Sequence, residues 1–218
     1  LTPLWLQSYM GYTATWSGFV TAATGVLAVV MAPVAAMLSQ KIDPRKLVFI
    51  GVLWLGIMTY VRSFASTDMT AWDIAWPMLL QGVGLPLFFV PLTSLALASV
   101  DDEETASAAG IMNFLRTFSG AIATSVVTTL WDNSTTAFRY DLVERAQNPL
   151  HIASLMGDMS ATGEKMATYT LDFLIQTQAV MLSTNHVMLM VAFTFAFAAT
   201  SIWLAPKPTK QVDTSAVH

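Results

Sequence analysis

The stretch SGFVTAATGVLAVVMAPVAAMLS, residues 17–39, runs for 23 residues without a charged side chain. At the helical rise of about 1.5 Å per residue this is long enough to cross the hydrocarbon core of a bilayer, which takes roughly 20 mostly apolar residues. Four further stretches read the same way: LVFIGVLWLGIMTYVRSFA (47–65), IAWPMLLQGVGLPLFFVPLTSLALAS (74–99), the run 107–131 beginning SAAGIMNFLRTF, and HVMLMVAFTFAFAATSIWLA (186–205). Residues 1–8 resemble the last turns of a sixth helix.

Composition agrees. Hydrophobic residues make up 55% of the chain and charged residues 11%, and so little polar surface cannot cover a water-soluble globule. The formal net charge is −4, and the basic residues form no stripe of the kind nucleic acid requires. There is no cysteine, which removes disulfides and thiolate metal sites, and the three histidines lack ligand spacing. An embedded enzyme would need a nucleophile and base, or a metal cluster, and none is legible. The chain opens on LTPLWLQ, with neither an initiator methionine nor a signal sequence, and is read as the later part of a longer protein.

Orientation follows from the loops. QKIDPRK (40–46) carries Lys41, Arg45 and Lys46, and the tail from 206 to 218 carries Lys207 and Lys210. Four spans separate them, so both belong on one side, which the enrichment of short cytoplasmic loops in Lys and Arg makes the inside. The loop STDMTAWD (66–73) has no basic residue and falls outside, as does the long segment 132–185. The acidic DDEET (101–105) falls inside, just before a helix whose N-terminal dipole favours carboxylates. The expected organisation is therefore a bundle over 1–131, a helical segment over 132–185 on the outer side, a last span at 186–205 and a cytoplasmic tail. Within EKMATYTLDFLIQTQAV, Met166, Tyr169, Phe173 and Val180 follow a broadly helical spacing.

Two spans are irregular. In 74–99, Gly82, Gly84, Pro86 and Pro91 fall close together, and the two prolines each remove a backbone donor. In lipid such a helix is tolerated only against other helices or a wet cavity, so it should be kinked and inward-facing. The 17–39 span, with Gly25 and Pro33 among many alanines, is a milder version suited to close helix contact.

The run 107–131 holds the one charge placed well inside a span, Arg116. At 100° per residue, Asn113, Arg116, Thr117, Gly120, Thr124 and Thr128 share one face, with Ile111, Leu115, Phe118, Ile122 and Val126 opposite. A guanidinium at membrane depth costs at least about 2.5 kcal/mol and normally turns inward to a partner. Two readings fit: Arg116 snorkels or pins two helices, or it lines a substrate path or gate. Gln81 divides similarly between helix-to-helix bonding and cavity lining, Arg62 reads as snorkelling, and His186 as a cap or interface residue at the start of the last span.

GYTATWSG (11–18), KIDPRKLV (41–48), AWP, QG and FFVPLT within 75–93, and NFLRTFSGAIATSVVTTLWDN (113–133) together resemble the C-terminal part of the EmrB/QacA-type drug:proton antiporters of the major facilitator superfamily. The resemblance implies an all-α polytopic membrane bundle in which this chain supplies five spans and a stub. Arg116 falls on the arginine of the family's N-x-x-R pattern. Asp43, Arg45 and Lys46 occupy the place of its cytoplasmic loop motif, a charge lock of the outward-facing state, although the motif's glycines are missing here. The implied activity is export of hydrophobic or weakly acidic drugs across the bacterial inner membrane, driven by the proton gradient without a cofactor. The proton-carrying carboxylates would lie in the preceding half. Segment 132–185 reads either as a lid folded on its own transporter or, as the family implies, as the docking surface of a periplasmic adaptor of the EmrA type that leads to an outer-membrane channel of the TolC type. Uptake, or stand-alone export of another amphiphile, is the alternative.

Overall fold

The computed structural model describes residues 2–9, 11–66, 69–97, 100, 104–146 and 161–204; the tail 206–218, residues 101–103 of the acidic loop and 147–160 of the long segment lie outside them. The described chain folds as six helices: α1 (Thr2–Ser8), α2 (Ala14–Lys41), α3 (Pro44–Arg62), α4 (Ala71–Leu97), α5 (Thr105–Ala146) and α6 (Ala161–Ser201), the last followed by a 3-10 turn, Ile202–Leu204. Among the described residues there is no strand.

Local chemistry sets the boundaries. Gly11, at φ 70°, turns the chain between α1 and α2 in a left-handed conformation that costs glycine little. The Thr13 hydroxyl then accepts from the backbone N–H of Trp16 and starts α2. Asp43 does the same for α3, accepting the Arg45 N–H at 3.0 Å, with Pro44 at the first helical position, where its missing donor is harmless. α4 passes through Pro77, Pro86 and Pro91 without ending. Each proline strips the carbonyl four residues earlier of its helical donor. Trp54 Nε1 of α3 donates to Leu80 O at 2.7 Å and ties the two helices together.

Close approach is built on glycine. A Cβ added to Gly82 would run into the Thr24 carbonyl of α2, and one on Gly51 would sit 2.8 Å from the Phe88 nitrogen of α4. Gly84 likewise meets Leu55 at 2.8 Å. α4 thus lies against both α2 and α3 at backbone distance, the small-residue packing that helices use where lipid removes the hydrophobic drive. At one end of the bundle Trp5, Leu6, Val20, Ile74, Met78, Trp131, Val180 and Val187 form the largest core, joining α1, α2, α4, α5 and α6. At the other end Ala35, Leu47 and Leu87 form a second core, and Val48, Val52 and Ala199 a third.

Four helical stretches among the described residues are long and apolar enough to cross a membrane: Ala14–Lys41, Pro44–Arg62, Ala71–Leu97 and Tyr169–Leu204. α5 is not one of them, because Asn113, Arg116, Gly120 and its serines and threonines dilute the run expected over 107–131. Its hydroxyls nevertheless need no water: Thr117 Oγ1 donates to Asn113 O at 2.9 Å and Thr124 Oγ1 to Gly120 O at 2.8 Å. α5 also continues unbroken past residue 131 to Ala146, and α6 starts at Ala161, well before residue 186. Where described, the segment 132–185 is thus the prolongation of α5 and the first part of α6.

Gly82→Ala is expected to lower stability by about 1–3 kcal/mol through overpacking against α2. Gly25→Ala, at a position with nothing within 4 Å, should leave the melting temperature in detergent unchanged or raised. Equal tolerance of both would contradict the α2–α4 contact.

Candidate functional site: the Arg116 face and its polar surroundings

α5 carries Arg116 past α4 so that the guanidinium carbon stands 4.1 Å from the centre of the Phe89 ring. The ring face offers the negative side of its quadrupole, worth about 0.5–2 kcal/mol depending on desolvation. Among the described residues Arg116 makes no ion pair; the two present are Arg139–Asp172 and Arg145–Asp141. Asn113, Thr117, Gly120 and Thr124 are exposed with it, and so are Ile111, Leu115, Phe118, Ile122 and Val126 opposite. This chain leaves both faces of that part of α5 open, and contact with Phe89 turns the Arg116 side toward α4.

Gln81 does not join Arg116. It lies eight residues before Phe89, about 12 Å along α4, and its Oε1 accepts from Arg62 Nη1 at 2.8 Å. Arg62 therefore reaches inward to α4, because a charge half-buried at a helix end gains more from a directed acceptor than from a solvated tip. Gly82, Gly84, Pro86 and Pro91 are all buried, at the α2 and α3 contacts, whereas Pro33 is exposed on α2.

At the opposite end, Asp43 is spent on capping α3. Arg45 is 6% exposed, and its Nε and Nη2 are buried without a hydrogen-bond partner. Lys46 is exposed. Two unmet guanidinium donors in a buried place are costly.

A polar knot fastens α5 to α6. Trp131 Nε1 donates to Thr184 Oγ1 at 3.0 Å and Ser183 Oγ to Trp131 O at 2.7 Å, both buried. Asn185 Nδ2 donates to Ala65 O at 2.7 Å, tying α6 to the end of α3. His186 is an interior residue of α6 and packs edge-on against Phe138, centroids 6.0 Å apart. The signal for the knot was the polar run Ser183–Thr184–Asn185 inside an apolar stretch; it reads as a helix start from sequence but acts as cross-helix glue. Among the described residues no cluster of His, Asp or Glu is placed to hold a metal ion.

These apolar helices, packed on glycines and continuous through their prolines, make a multi-pass membrane bundle, and residues 1–124 match the family model described as Major Facilitator Superfamily. The chain belongs to that superfamily. It is 30% identical over 213 residues to the multidrug export protein EmrB of Escherichia coli K12, an alignment covering 95% of this chain and 41% of that protein. It is 33% identical over 214 residues to EmrB of Haemophilus influenzae, covering 95% and 42%. With the fatty acid resistance protein FarB of Neisseria gonorrhoeae it shares 30% over 217 residues, again 95% and 42%. The chain thus spans about two fifths of the length of these relatives.

Gln81→Leu is expected to destabilise the bundle by about 1–2 kcal/mol through loss of the Arg62 bond. A cycle with Arg62→Met should recover most of this as coupling. Additive effects in the cycle would show that the two side chains do not depend on one another.

Proposed function

We propose that this chain is the C-terminal part of a proton-driven multidrug exporter of the bacterial inner membrane, working by alternating access of two helical bundles about a shared cavity. The observation that carries the reading is Arg116. It is a charge in the middle of the α5 stretch read as a span, it has an aromatic ring for a neighbour, and it makes no ion pair among the described residues. A cation so placed suits a substrate with an apolar body and an acidic head, which supplies the missing counter-charge on binding. The names of the relatives, which speak of multidrug export and fatty acid resistance, support the same substrate class. Asn113, Thr117, Gly120 and Thr124 complete the cavity face, with Gln81 bracing α4 behind it.

The loop Asp43–Arg45–Lys46 serves as the cytoplasmic lock: an acceptor brought to the two unmet Arg45 donors in one state, and withdrawn in the other, would give those states different energies. The enrichment of short cytoplasmic loops in Lys and Arg supports this loop, with Lys41, on the inner side. The prolonged ends of α5 and α6, cross-linked by Arg139–Asp172 at 2.7 Å, then project on the far side and offer a docking surface for a periplasmic adaptor of the EmrA type leading to a TolC-type channel.

In the whole protein, Arg116→Ala should abolish proton-driven export of a weakly acidic drug from everted vesicles, and Arg116→Lys should keep part of it if charge alone matters. Full export by the alanine variant would remove Arg116 from the path. Shortening both helices beyond Thr135 and Thr177 should eliminate co-purification of the adaptor while leaving drug binding intact; retained co-purification would refute the docking role.

A further inference from the structure

Phe89 is half-buried on α4, between the buried Pro86 and Pro91. The backbone just before it is pinned to α3: a Cβ on Gly51 would meet Phe88 N at 2.8 Å and Leu87 C at 2.9 Å. A residue two positions after Leu87 lies about 200° round the helix, so Phe89 is turned away from α3. Phe88 packs against the Val48–Val52–Ala199 core, and its ring stands against that of Phe89, centres 4.7 Å apart. The Phe89 ring is thus held from behind, and it meets the Arg116 guanidinium of α5 at 4.1 Å.

A ring and a carboxylate hold an arginine differently. A carboxylate supplied by this chain would neutralise the guanidinium, take up its N–H donors and repel an incoming anion. A phenyl ring has no net charge and only the weak attraction of its quadrupole. It fixes a long, rotamer-rich side chain in one place and leaves both the charge and the five N–H donors for another partner. Among the described residues no carboxylate pairs with Arg116.

We propose that Phe89 is the positioning residue that makes the Arg116 site selective for anionic amphiphiles: the ring holds the guanidinium without neutralising it, and the acidic head of the ligand joins the pair instead of displacing a counter-ion. The role of Phe89 rests on Arg116 lining the export path.

The test is equilibrium binding of 11-(dansylamino)undecanoic acid and of its primary amide to the whole protein in nanodiscs at about pH 8, against empty nanodiscs. The probes share an apolar body and differ only in the charge of the head. Wild type should bind the acid saturably and about tenfold more tightly than the amide. Phe89→Leu, which keeps an apolar side chain but removes the quadrupole, should weaken the acid about three- to tenfold and leave the amide unchanged. Phe89→Tyr, which keeps the ring face, should stay within about twofold of wild type for both. Phe89→Glu should erase the preference for the acid, because the new carboxylate becomes the counter-ion of Arg116. Arg116→Ala should bind acid and amide alike. If it does so while Phe89→Leu and Phe89→Glu keep the wild-type preference, Arg116 stays in the path and the role of Phe89 is overturned. Equal weakening of both probes by Phe89→Leu would show a structural role only, and also overturn it. A preference for the acid that survives Arg116→Ala, or no saturable acid binding by wild type, would sink the selectivity and the Arg116 site together.

Discussion

A peptide group inside hydrocarbon has to find its hydrogen-bond partner within the protein, and this structure is arranged around meeting that demand where the sequence makes it hard. α4 is the hard case. Pro77, Pro86 and Pro91 remove three ladder bonds from one helix, yet it stays continuous, with α2 and α3 pressed against it at Gly82 and Gly84 and Trp54 of α3 bonded to Leu80 O. A loosened helix is thereby held at the centre of the bundle rather than exposed to lipid.

The same demand explains the polar residues. Serine and threonine hydroxyls along α5 and α6 fold back onto the carbonyl four residues earlier, so the helices can be rich in polar atoms without needing water. Arg62 is satisfied by Gln81, and Trp131 by Thr184. Against that background the buried side-chain atoms left without a hydrogen-bond partner among the described residues are Arg45 Nε and Nη2, Trp5 Nε1, Thr24 Oγ1 and Asn185 Oδ1. Arg116 is exposed, rests on the Phe89 ring and makes no ion pair among the described residues.

Much of this was legible in the residues. Apolar run length located α2, α3 and α4 closely, since a span's minimum length is fixed by bilayer thickness. Gly82 and Gly84 with the prolines marked 74–99 as an inward-facing span, and it lies against α2 and α3 at backbone distance, whereas Asp43, read as part of a loop motif, turns out to cap α3. What could not be read was where α5 and α6 stop. Hydropathy falls at residue 131 and rises at 186, but a helix can leave lipid without ending, and Ser183 to His186 interrupt the apolar pattern by bonding sideways rather than by turning the chain. Partner choice was likewise hidden: Arg62 and Gln81 are nineteen positions apart, and no local pattern says that one will face the other instead of water.

Because α5 is a single rod from Thr105 to Ala146, it behaves mechanically as a lever with its fulcrum at Trp131, where Thr184 and Ser183 grip it. The arm from Trp131 to Ala146 is about 22 Å, and the arm from Trp131 down to Arg116 is about the same. A tilt of about 10° about that grip therefore moves both ends by roughly 4 Å in opposite directions. Whatever displaces Arg116 displaces the far tip with it, without any intervening joint to absorb the movement.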